Sequence, residues 1–139
     1  MPALDTNILV RYLVADDATQ FAQAKRLIGR CVAEGQSLFV PVTVVLETEW
    51  VLRSRYGLST DDLLLTLSGL LSAAELRFES EQALEIALHL FREHAADFAN
   101  CLHIALAIQA DEPPLWTFDK GAARVSGGRL VGREGPKAS

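Results

Sequence analysis

The sequence predicts an α/β domain with a mostly parallel sheet, on three observations. Short apolar runs that read as strands alternate with longer stretches whose apolar residues recur every three or four positions, the pattern of strands joined by crossover helices. The runs at residues 1–4 and 115–117 both give way to an acid, Asp5 and Asp119, so two carboxylates are expected at the same carboxyl edge of such a sheet. Half of the 139 residues are hydrophobic (50%) and spread along the chain, enough for one core without disulfides or structural metal and too many for disorder.

The first strand, residues 1–4, stops at Asp5-Thr6-Asn7, and residues 8–14 are a dense apolar run broken only by Arg11. Thr6 or Asn7 is suited to cap a helix there, and Asp5 is either a helix-capping acid or a site carboxylate. Asp16 and Asp17 precede a helix marked by Phe21, Ala24, Leu27, Ile28 and Cys31, which Gly35 ends. Residues 37–40 read as a buried strand closed by Pro41, which cannot donate to a sheet. Residues 42–56 form a mostly apolar helix stopped by Gly57 and interrupted by Glu47 and Glu49. With Leu46 and Trp50 on the buried side, Glu47 stands beside them partly enclosed; it is either an edge residue of an amphipathic face or a carboxylate that needs a partner or a metal.

Ser59 or Thr60 caps the next helix, whose leucines at 63, 64, 67, 70 and 71 cover more than one narrow stripe and fit either core or a dimer surface. Residues 76–78 fit a third strand, Ser80 a further cap, and Ala83, Leu84, Ala87, Leu88, Leu90 and Phe91 the inner side of the helix it opens, with His89 and His94 outside. Residues 97–110 are apolar nearly all round, as in a central helix on the sheet, except for Asp97, Asn100 and His103, which fall three apart along one side. Pro113 and Pro114 turn the chain into the strand 115–117, followed by Phe118, Asp119 and Lys120. A short helix at 121–125 and a strand at 129–131 complete a single domain over residues 1–131, with 132–139 as a tail that has no core residues. In a parallel sheet Asp5 and Asp119 become neighbours, and the amino end of the Asp97 helix can face them.

Cys31 and Cys101 lack the paired spacing of a zinc site or a disulfide framework, which points to reduced core thiols. No apolar run approaches the length of a membrane span and no basic leader precedes one, so no membrane association and a cytoplasmic location are expected. The net charge of −5 disfavours a nucleic-acid partner unless converging acids hold a divalent metal that supplies positive charge locally. Basic residues gather in the first half at Arg11, Lys25, Arg26, Arg30, Arg53 and Arg55.

Four stretches, taken together and in order, resemble the PIN-domain ribonucleases, and among them the VapC toxins of bacterial toxin–antitoxin pairs. They are Leu4-Asp5-Thr6-Asn7-Ile8-Leu9-Val10-Arg11-Tyr12-Leu13, then Val45-Leu46-Glu47 with Trp50-Val51-Leu52 and Tyr56-Gly57, then Ala96-Asp97-Phe98-Ala99-Asn100-Cys101-Leu102, and Thr117-Phe118-Asp119-Lys120. The resemblance implies a PIN-like α/β/α sandwich on a four- to five-stranded, mostly parallel sheet. It also implies endonuclease activity on single-stranded RNA, a Mg²⁺ or Mn²⁺ cofactor and a VapB-like antitoxin as partner. It carries catalytic roles to Asp5, Glu47, Asp97, Asn100 and Asp119, with the metal held by Asp5, Asp97, Asn100 and Asp119. Thr6, Asn7 and Thr117 become orienting groups, and Arg11 and Lys120 candidates for RNA phosphate contacts. The family usually has an acid where this chain has Asn100, which offers a carbonyl oxygen but no charge.

Phosphodiester hydrolysis needs an activated water, neutralised phosphoryl oxygens and a stabilised leaving oxygen, all of which metal held by carboxylates supplies. The rival reading is a catalytically weakened or inactive PIN module that binds RNA or a protein partner, supported by Asn100. A receiver or phosphohydrolase-like domain is a more distant rival. It expects a mid-chain aspartate after a strand, where residues 76–78 are followed by Glu79. The apolar surplus in 63–71 and around Tyr12 and Trp50 leads to an expected homodimer.

Overall fold

The computed structural model describes residues 1–132, in which seven helices and four strands alternate. The strands are parallel throughout, as the helix-joined connections require. The chain divides into two compact units, the first spanning Met1–Glu81 and the second beginning at Gln82.

In the first unit the opening strand is reduced to a parallel bridge between Ala3 and Phe39, with hydrogen bonds from Leu4 N to Phe39 O (2.9 Å) and from Phe39 N to Pro2 O (2.8 Å). Helices α1 (Thr6–Leu13) and α2 (Ala18–Ala33) follow, the second capped by Asp17, whose side chain accepts from Gln20 N. Gly35 turns the chain at a φ of 72°, a left-handed geometry that suits a residue without Cβ. Strand β1 (Leu38–Val40) pairs in parallel with β2 (Leu76–Phe78), Leu38 opposite Leu76 and Val40 opposite Phe78. Between them run α3 (Val42–Ser54), opened by Pro41, and α4 (Thr60–Leu71), capped by Ser59. Gly57 separates these helices at a φ of 67°.

The core of this unit is Leu4, Leu9, Val10, Ile28, Leu38, Val40, Val45, Leu52, Leu63 and Leu67 with their neighbours, all buried. Each such leucine or valine contributes about 1.5–3 kcal/mol on leaving water. Thr48 lies fully buried in α3 with a hydroxyl that finds no partner among the described residues.

The second unit contains α5 (Glu81–Glu93) from its second residue on, α6 (Phe98–Gln109), β3 (Leu115–Thr117), α7 (Lys120–Ala123) and β4 (Gly128–Leu130). Strands β3 and β4 pair in parallel, Trp116 opposite Arg129. Phe91 and Phe98 meet edge to face with ring centroids 5.5 Å apart. Helix α6 buries Phe98, Cys101, Leu102, Ile104 and Ala105, while Ile108 near its end is partly exposed. Gly127 and Gly128 let β4 come close: a Cβ on Gly127 would lie 2.8 Å from Ile104 Cγ2, and one on Gly128 2.2 Å from the Ala122 carbonyl oxygen.

The elements differ from expectation at several places. Ser80 does not take the extended conformation of a capping residue but sits at a φ of 56°. The last helix begins one residue early, at Lys120, because Asp119 itself caps it, and the last strand begins at Gly128 where 129 was expected. The sheet is hydrogen-bonded as two parallel pairs, one per unit, with the first strand joined to β1 by a single bridge. The expected tail, apart from Gly132, lies outside the described residues.

Candidate active site

Asp5 stands where the buried Leu4 ends the first strand, and it is the N-cap of α1 in place of the expected Thr6 or Asn7. Its Oδ1 accepts a 2.7 Å hydrogen bond from Thr6 N, so the carboxylate satisfies an otherwise unpaired donor of the first helical turn. Thr6 is 4% exposed and β-branched, which fixes the direction of its hydroxyl; that hydroxyl donates to Glu47 Oε1 on α3. One residue therefore holds two carboxylates, Asp5 by its backbone and Glu47 by its side chain.

Asn7 is exposed and lines a cavity of about 310 Å³ with Ile8, Arg11, Gln20, Gln23 and Leu27. Arg11 is engaged within the protein: Nε donates to Gln20 Oε1 (2.6 Å), and Nη1 donates to Asp16 Oδ1 (3.1 Å) and to the Tyr56 hydroxyl (3.0 Å). Tyr56 in turn donates to Asp16 Oδ2 at 2.8 Å. The Tyr56 hydrogen bond, and after it the charge of Arg11, hold the Asp16 carboxyl below the usual carboxylate range.

The expected sidedness of α3 is corrected. Trp50 is 51% exposed and Glu47 is exposed, whereas Glu49 is 1% exposed. Glu49 tolerates burial because Arg53, one turn on, donates from Nε to Oε2 at 2.9 Å. The Glu49-to-Arg53 spacing of four is present in the sequence as the signal of this pairing, although hydrophobicity ranks Trp50 as the inward residue.

In the second unit Asp97 is the N-cap of α6 without a side-chain capping bond, and its carboxylate is exposed. Asn100 is half-buried one turn later, and His103 is exposed. Burial, and then the charge of Asp97, push the Cys101 thiol up to about 11, so this cysteine stays protonated near neutral pH. Asp119 caps α7 with its Oδ1 accepting from Ala122 N at 2.9 Å. Its own N–H donates to Thr117 Oγ1 at 2.9 Å, so the threonine that precedes the acid fixes the backbone that carries it. Gly121 escaped the sequence reading: a Cβ there would lie 3.1 Å from Asp119 Oδ1, so its bare backbone leaves the carboxylate its position. Lys120 is exposed at the first position of α7.

Among the described residues no three His, Cys, Asp or Glu side chains gather closely enough to hold a metal ion on their own. What the first unit offers is the Thr6-linked pair of Asp5 and Glu47, an all-oxygen set of two carboxylates. Mg²⁺ suits such a set, since it favours hard oxygen donors, keeps several waters, and commonly takes one or two carboxylates alongside substrate phosphates.

Residues 3–128 match the PIN domain family. The chain belongs to that family. PIN domains are generally nucleases, typically use divalent metal ions and act on RNA, and the parallel α/β arrangement described above is consistent with their fold. No curated protein matches the chain. Among the described residues of this PIN domain no helix is long and apolar enough to cross a membrane.

Proposed function

We propose that this PIN domain is a metal-dependent endoribonuclease that cleaves single-stranded RNA, the toxin of a VapBC-type pair acting in the cytoplasm. The observation that supports it most is Thr6, which bonds the carboxylates of both Asp5 and Glu47. Two like-charged carboxylates tied to one buried residue repel each other unless a cation is present, a cost that a purely structural role does not require. In this reading Asp5 with Glu47 beside it is what the first unit offers to Mg²⁺ or Mn²⁺, and Asp97, Asn100 and Asp119 are what the second unit offers to the same chemistry. A divalent ion held there would supply positive charge for the phosphoryl oxygens and would make a water easier to deprotonate near neutral pH. Thr6 orients Glu47, Thr117 fixes the backbone of Asp119, and Asn7 is an exposed amide beside the first acid. Asn100 lends a carbonyl oxygen without charge, which weakens metal binding because site charge sets affinity.

Partner binding follows the apolar surface. Leu63, Leu67 and Leu70 of α4 are buried, but Leu65 is 74% exposed and Trp50 on α3 is 51% exposed. A homodimer and a VapB-like antitoxin are the proposed occupants of such surface, and light scattering of the chain alone and with the product of the neighbouring gene measures both.

The deciding experiment is cleavage of single-stranded RNA with Mn²⁺, with Mg²⁺ and with chelator. The chain is expected to cut slowly with metal and not at all with chelator, and Asn100→Asp to raise metal affinity and rate by about tenfold. Activity that survives chelation refutes the reading. The rival module, which binds RNA without cutting it, is favoured by Asn100. It is established if neither the chain nor Asn100→Asp cleaves with either metal while both retain the RNA.

A further inference from the structure

The second unit holds a feature that neither the acids nor the metal explain. Lys120, Arg124 and Arg129 line one cavity of about 440 Å³, together with Ala123, Gly128 and Leu130 and no acidic side chain. All three cations are exposed, and none has an ion-pair partner among the described residues. The chain as a whole carries a net charge of −5, opposite in sign to this grouping. Arg129 also lies with its guanidinium carbon 5.4 Å from the centre of the Trp116 ring, which faces it across the β3–β4 pair. A guanidinium stacked this way keeps its in-plane N–H groups free for a second partner. Trp116 is 45% exposed and Phe118, two residues on, is 82% exposed. Two large aromatics left in water at the end of a strand have no packing role that accounts for them.

We propose that the Lys120–Arg124–Arg129 cavity binds the phosphate backbone of single-stranded RNA while Trp116 and Phe118 provide faces on which its bases stack. Cations in a groove and exposed aromatic faces are the two components by which proteins hold single strands without reading sequence. The charge favours a polyanion, and the aromatics favour a nucleic acid over an acidic peptide, which has no bases to stack. The substrate class rests on the nuclease reading above; the binding surface does not require that reading's metal or acids.

The test is fluorescence anisotropy of a labelled single-stranded oligoribonucleotide with the full chain in excess chelator, across a range of salt. Three phosphate contacts predict a slope of log K against log salt of about −2. Lys120→Gln, Arg124→Gln and Arg129→Gln are each expected to weaken binding and to reduce the slope by about 0.7. Trp116→Leu and Phe118→Ala are expected to weaken binding by about tenfold with the slope unchanged. Unaltered affinity and slope in the arginine variants overturn the proposal, and so does equal competition by a poly-glutamate peptide. Because cleavage with metal is scored separately, loss of the nuclease reading leaves this result standing. Equally, cleavage with unchanged KM in Arg124→Gln removes this surface and leaves the nuclease.

Discussion

Asp5→Asn is expected to leave the fold intact and to lower RNA cleavage by about two to three orders of magnitude, the scale of losing one group that stabilises charge in the transition state. Asparagine caps helices as well as aspartate does, and its carbonyl can still accept from Thr6 N, so α1 loses nothing but the charge. Asp5→Ala removes both charge and cap and is expected to cost about 1 kcal/mol of stability in addition. Thermal unfolding measured beside cleavage separates the two roles, with Asn inactive at unchanged Tm and Ala inactive at lowered Tm. Thr6→Val extends the test to the link itself. It keeps the branched shape, removes the hydrogen bond to Glu47 and is expected to reduce activity by about 10–100-fold. Full activity in Asp5→Asn would confine this acid to capping.

Gly128→Ala carries the largest expected effect on stability. Its Cβ would stand 2.2 Å from the Ala122 carbonyl oxygen and 3.3 Å from Ile104 Cδ1, and a backbone oxygen that accepts from Val125 N cannot swing aside as a side chain can. Overpacking of this kind costs about 3 kcal/mol, a large share of a small domain's stability. Gly29→Ala in α2 and Gly69→Ala in α4 are the controls, since nothing lies within 4 Å of a Cβ at either position. Alanine there is expected to add about 0.5–1 kcal/mol through helix propensity alone. Urea denaturation of the three variants should give opposite signs, and a stable Gly128→Ala would contradict the close approach of β4 to α7.

Local rules carried most of the fold. Strand β2 falls on the residues the pattern indicates, α4 is capped by Ser59, one of the two residues expected, and Gly35 and Gly57 stop their helices in the conformation that such glycines adopt. These features are set by residues within one turn of each other, so the sequence displays them. The site was legible only in part, because its defining bonds are long-range. The hydroxyl of Thr6 reaches a glutamate 41 residues away, and Arg11 reaches Tyr56 45 residues away. No periodicity records such a meeting. The inversion of Glu49 and Trp50 has a different cause: hydrophobicity ranks tryptophan as core, yet a glutamate paired one turn away with arginine can be enclosed while an indole remains half in water. The basic cavity is less legible because Arg124 and Arg129 stand on either side of a turn closed by Gly128 N donating to Val125 O (2.9 Å), and only the β3–β4 pairing sets Arg129 opposite Trp116.

The cluster of Arg11, Asp16 and Tyr56 sets an acid limit for the first unit. Asp16 keeps its charge to lower pH than an unfolded chain's aspartate does, so its contribution is complete above the ordinary aspartate range and fades only as pH falls through the lowered value. That charge holds Arg11, and Arg11 sits on α1, five residues after Thr6 and six after Asp5. The clasp that ties the acid-bearing helix to the start of α2 and to the residue beyond α3 therefore outlasts mild acidification. Loosening of the helix that carries Asp5 is expected only at pH values below the ordinary aspartate range, which a pH series of thermal unfolding measures.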